Sequence, residues 1–117
     1  MTRWILGVLL LGCSSSPLLI GDVTEVAELE KGAQAVDQAL SSKSSGTVVL
    51  RGRIGRVCDE GCWFYLMGEQ GLLYVKLDLS SHVVLPRKSQ GREALVRGTL
   101  VQEETGQVLQ GEGIVLF

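Results

Sequence analysis

Two cysteines flank a short turn in Cys58-Asp59-Glu60-Gly61-Cys62, and Trp63 follows directly. A three-residue hairpin loop can bring its flanking Cα atoms within the ~4.4–6.8 Å that a disulfide needs. The pair is therefore a candidate bridge that pins a hairpin. The alternative is a metal or redox site. Thiolates take soft ions such as Cu(I) and Zn²⁺, and two of them leave the coordination shell incomplete. His82, the one histidine of the chain, is the candidate third ligand, with Met67 a weak fourth. Copper or zinc are the metals this set would suit, and nothing in the sequence demands a cofactor. Paired C-x-x-C elements are absent. The cysteine spacing, with no βαβ pattern around it, is not that of a thioredoxin-like centre. Catalysis finds little support. There is no G-x-S-x-G or H-E-x-x-H pattern. Asp59-Glu60 and Glu103-Glu104 fall in expected turns, where carboxylates are solvated. We expect no enzyme and no catalytic residue.

A second set of residues could bind rather than react. If Leu50 and Ile54 point into a core, Arg51 and Arg53 share the opposite face of their strand. Trp63 and Tyr65 alternate with Phe64 and Leu66, and Tyr74 and Lys76 alternate with Val75. Arg51, Arg53, Trp63, Tyr65, Tyr74 and Lys76 then form a candidate ligand face, with rings to stack on and cations beside them. The plainer alternative is that the aromatics pack beneath a neighbouring element.

Strands must position both sets. The chain has 117 residues, enough for one domain with one modest core. Its apolar fraction of 45% excludes a disordered chain. Abundant glycine and short Val- and Leu-rich runs read as strands joined by tight turns. The first expected strand covers 47–57 and is bent at Gly52 and Gly55. The second covers 63–67 and the third 72–77. A crossover spans 78–86, with a helical turn near 79–82. The fourth strand is expected at 94–101 and a last one at 108–117, bent or broken at Gly111 and Gly113. Ahead of them, Val23, Val26, Ala27, Leu29, Ala33, Val36 and Leu40 recur at helical spacing within a helical segment at 22–45. Gly32 interrupts it, so two short helices, or an irregular start and one helix from about Ala33, read as well as one long helix. Its simplest role is to cover one end of the sheet. The layout is mainly β, a small five-stranded OB-fold-like barrel over 46–117 with an N-terminal helical segment. An open sheet packed on the helix is the alternative.

Arg51-Gly52-Arg53-Ile54-Gly55-Arg56-Val57-Cys58, Gly61-Cys62-Trp63, Tyr74-Val75-Lys76-Leu77, Leu85-Pro86, Gly91-Arg92 and Val96-Arg97-Gly98 occur in that order. Together they resemble an uncharacterised family of exported bacterial OB-fold proteins with a V-C…G-C-W hairpin. The resemblance runs from about residue 47 to residue 100. In this chain the loop between the cysteines is one residue shorter than in the family form. The family implies a fold and a compartment, and no activity.

The N-terminus points the same way. Arg3 supplies one positive charge, and an apolar run from Ile5 to Leu11 is broken only by Gly7. That run is far short of the ~20 residues that span a bilayer, and it suits a secretory signal. Leu10-Leu11-Gly12-Cys13 followed by Ser14-Ser15-Ser16-Pro17 resembles the lipobox of bacterial lipoproteins. The resemblance implies a signal peptide at 1–12, an acylated Cys13, and a tether through residue 21. Buried acyl chains contribute about 0.8 kcal/mol per CH₂ and would hold the protein on a membrane. Ser14 after the cysteine implies the periplasmic face of the outer membrane. Export would place Cys58 and Cys62 in an oxidising compartment, where disulfides persist. The expected partners are the membrane through the anchor and an envelope protein or glycan. Nucleic acid is not expected: a lipoprotein outside the cytoplasm rarely meets it, and the net charge of −2 argues against non-specific capture of a polyanion, though not against a local basic patch.

Overall fold

The computed structural model describes residues 17–21, 23, 26–42, 46–77, 85–104 and 106–117. Cys13, the expected signal peptide, His82 and the helical turn expected at 79–82 lie outside the described residues.

The elements run in the order β1 (Leu18–Gly21), α1 (Val26–Gly32), β2 (Gln34–Ala35), α2 (Val36–Ser42), β3 (Gly46–Val57), β4 (Trp63–Met67), β5 (Leu72–Leu77), β6 (Glu93–Glu103) and β7 (Gly106–Leu116). A short 3₁₀ turn covers Arg87–Ser89. β3, β4 and β5 form an antiparallel meander. β5 then pairs in parallel with β7, β7 pairs with β6, and β6 returns to β3. Five strands thus close on themselves, which removes the exposed edges of an open sheet. The alternative of an open sheet is set aside.

Alternation explains why these segments are strands. Along β4 and β5, Phe64, Leu66, Leu73 and Val75 are fully or almost fully buried, while their neighbours face out. The interior is completed by Leu50, Ile54, Leu109, Ile114 and others into one cluster. β3 and β7 are long and must curve. In β3 the register with β4 shifts between Ile54 and Val57, beside Gly55. In β7 the register with β6 skips Glu112, between Gly111 and Gly113. β7 is therefore one bent strand, not a broken one.

Helical periodicity at 22–45 resolves into two short helices. α1 ends at Gly32, and α2 places Val36 and Ala39 in the core cluster, with Leu40 packed against it. The two-residue strand between them has a physical cause. β4 pairs with β3 only from Arg53 onward, so Leu50 and Arg51 have a free edge, and Gln34–Ala35 pair with it in parallel. The same thing happens on β7. β5 covers it at 108–111, and β1 pairs with the remaining edge at 113–116. Residues 18–21, read from the sequence as tether, are thus a strand, and Ile20 packs against the core.

Candidate functional site

The β4–β5 ladder sets Trp63 opposite Lys76 and Tyr65 opposite Tyr74, all on the outer wall of the barrel. Their rings make a triangle. Trp63 and Tyr65 are 5.6 Å apart between centroids, Trp63 and Tyr74 5.8 Å, and Tyr65 and Tyr74 5.9 Å. These are the edge-to-face and tilted distances aromatic pairs favour. None of the three is fully buried. Lys76 Nζ reaches Glu103 Oε2 at 3.3 Å, an exposed pair that contributes little stability. The wall extends onto β7 and β6. Val108 lies opposite Tyr74 and Val101 opposite Val108. Val108 is buried and stands outside the interior cluster. Alternation in β7, with Val108 and Gln110 against Leu109 and Gly111, was the signal available in the sequence for this extension.

Arg51 and Arg53 do not join the rings. Arg51 is paired with Glu30 and with Glu93, each at 3.5 Å, and its guanidinium lies 5.9 Å from the centroid of the Phe117 ring. Arg53 Nη1 donates to the carbonyl of Gly91 at 2.7 Å. Both line a separate open cleft of ≈ 540 Å³ with Asp37, Met67 and Glu69. Bending of β3, and the seating of β2 and α2 on its first half, divide what looked like one face in the sequence.

The two cysteines do come together. Gly61 adopts φ +75°, which closes the turn, and its N–H donates to the Cys58 carbonyl at 2.8 Å. Cys58 N–H donates to the Trp63 carbonyl at 2.9 Å, and the Cys62 carbonyl accepts from Leu77 N–H at 2.9 Å. Both residues are free thiols, half-exposed, with sulfurs 2.9 Å apart. The hydrogen bond from Cys62 holds the Cys58 thiol below its ordinary range, helped by the backbone N–H groups of Cys62 and Glu60. Cys62 moves the opposite way, because the same bond favours its protonated form and burial adds to it. Met67, the weak fourth ligand in the metal reading, lies at the far end of β4 and faces the Arg53 cleft. Among the described residues no cluster of three or more His, Cys, Asp or Glu side chains is placed to hold a metal.

Asp37 was not anticipated. At the start of α2 its carboxylate accepts from three successive backbone N–H groups of the β4–β5 turn. Glu69 N lies 2.8 Å from Oδ2 and Gly71 N 3.0 Å from Oδ1, with Gln70 N between them. Turn glycines on both sides of Glu69-Gln70 and a lone Asp in a helix start were the only hints.

No family model matches the chain, and no curated protein matches it. Among solved structures, it is similar to the hypothetical protein YgiW from E. coli, with a TM-score of 0.55 and 17% sequence identity. The match covers 73% of this chain and 89% of that one. The fold is an OB-fold-like small barrel. At that identity the likeness extends to the fold alone. In OB-fold barrels the meander face that here carries Trp63, Tyr65 and Tyr74 is the common place for oligomeric ligands.

Proposed function

We propose that the protein is a non-enzymatic binding module of the bacterial envelope, anchored through acylated Cys13, whose outer wall of Trp63, Tyr65 and Tyr74 takes an envelope glycan. The observation that carries this reading is the ring triangle. Three aromatics that could fill an interior instead stand side by side on an outer strand face, each partly exposed. Rings so placed offer apolar area to the C–H faces of sugars, while Lys76 and Gln110 beside them supply polar contacts. The lipobox-like Leu10-Leu11-Gly12-Cys13 supports the anchor and the compartment.

Two measurements test this. Trp63→Ala combined with Tyr74→Ala is expected to cut co-sedimentation with purified peptidoglycan sacculi at least about tenfold, the loss of two well-packed ring contacts. Unchanged sedimentation of a folded double variant would refute the wall as a glycan site. Separately, Cys13→Ala is expected to abolish incorporation of labelled palmitate and move the protein from the membrane to the soluble fraction. Retained label would place the acyl chain elsewhere.

A further inference from the structure

We infer that Cys58 and Cys62 form a reversible dithiol–disulfide couple, in which Cys58 attacks a disulfide partner and Cys62 closes the ring. The inference goes beyond the aromatic wall and does not rest on it.

Three features converge on the hairpin. The sulfurs are adjacent, 2.9 Å apart, within roughly 1 Å of a disulfide's bond length. The backbone on either side is held by hydrogen bonds to residues outside the pair. Cys58 N–H is tied to the Trp63 carbonyl, the Cys62 carbonyl to Leu77 N–H, and the Gly61 carbonyl to Leu85 N–H at 3.1 Å. Finally, Cys58 opens onto a surface cleft of ≈ 480 Å³ lined by Arg56, Val57, Asp59, Glu60 and Trp63, which leaves room for an incoming disulfide. Cys62 does not line it. Access and nucleophilicity thus fall on the same sulfur, since the Cys62 thiol and the Glu60 and Cys62 amides all favour Cys58 as thiolate. Charged groups around the loop are Arg56, Asp59, Glu60 and Arg87, the last paired with Asp59 at 3.6 Å. Glu60 opposes the thiolate only weakly, as the smallest of the influences on Cys58.

The chemistry balances as ordinary exchange. Cys58 thiolate attacks one sulfur of R–S–S–R, forming a Cys58–S–S–R bond and releasing RS⁻. Cys62 gives its proton to solvent, and its sulfur attacks the Cys58 sulfur, which releases the second RS⁻. The two cysteines lose two electrons and two protons, and the partner disulfide gains them as two thiols. Exposed disulfides of this kind are the labile ones, so reduction by excess thiol runs the same steps backward.

The test uses the full chain carrying Cys13→Ser, so that Cys58 and Cys62 are its only thiols. It is equilibrated with mixtures of reduced and oxidised glutathione, quenched in acid, alkylated and weighed intact. The expected result is conversion between a doubly alkylated form and an unalkylated form two hydrogens lighter than the free dithiol, reversed by excess reduced glutathione. Cys62→Ser is expected to accumulate a mixed disulfide on Cys58. Cys58→Ser is expected to react about tenfold or more slowly at neutral pH. Two free thiols at every ratio would overturn the couple. A bridge that excess glutathione cannot reduce would overturn it too, leaving a structural disulfide. Equal rates in the two single variants would overturn the assignment of Cys58 as attacking sulfur. Circular dichroism of each variant separates these outcomes from loss of fold.

Discussion

Gly98→Ala is expected to cost the barrel about 3 kcal/mol or more, at or beyond the usual upper end for overpacking a site that cannot relax. Gly98 sits at the register skip where β6 pairs with β7. A Cβ there would run into the backbone carbonyl of Gln110, with the Cα of Gly111 at 3.0 Å. These are backbone atoms of a strand that is itself hydrogen-bonded on both sides, so no rotamer change can relieve them. The strands would have to part at the place where β7 bends, and closure depends on that bend. Gly32→Ala provides the contrast. Nothing lies within 4 Å of a Cβ there, and the residue ends α1. It should stabilise by roughly 0.5–1 kcal/mol, through helix propensity and a less flexible unfolded chain. Urea titrations of both variants read the two signs directly, since the midpoint moves with stability. A Gly98→Ala midpoint equal to wild type would mean that the strands part without cost.

Asp37→Ala should be the second large loss, about 2–3 kcal/mol, because it strips a charged acceptor from three backbone donors at once. The effect reaches past the turn. Asp37 is the covalent neighbour of Val36, which with Ala39 is buried in the core. Releasing the carboxylate frees the end of α2 from the β4–β5 turn it clamps. Amide exchange at Glu69, Gln70 and Gly71 is expected to rise well before the rest of the barrel opens. Asp37→Asn keeps one acceptor oxygen and should lose roughly half as much. If the Ala variant left exchange at those three amides unchanged, the clamp would be a bystander.

The strands were legible because alternation is local. Residues 63–67 and 72–77 are bounded in the structure as their apolar periodicity bounds them. The closed barrel followed from long, glycine-bent outer strands around a short meander. The clamp at Asp37 was not legible, since it joins residues more than thirty positions apart through backbone amides, which leave no mark on side-chain pattern. Of the expected ligand face, the part built from one hairpin came together, because a tight turn fixes register. Arg51 and Arg53 failed to join because their place depends on how far β3 bends and on what docks against its free edge. The segment at 18–21 was missed for the same reason. Its apolar residues read as tether until β7 offers an unpaired edge.

That edge-covering strand also fixes how the molecule would carry load. Any pull on the residues ahead of Pro17 enters the domain through β1, whose four residues form a single short ladder with β7. Those bonds would rupture before the closed barrel, because β7 remains zipped to β6 on both sides of Glu112 and to β5 at 108–111. β1 is placed to act as a sacrificial link, lengthening the chain ahead of the barrel by about 3.3 Å per residue released while the barrel stays shut.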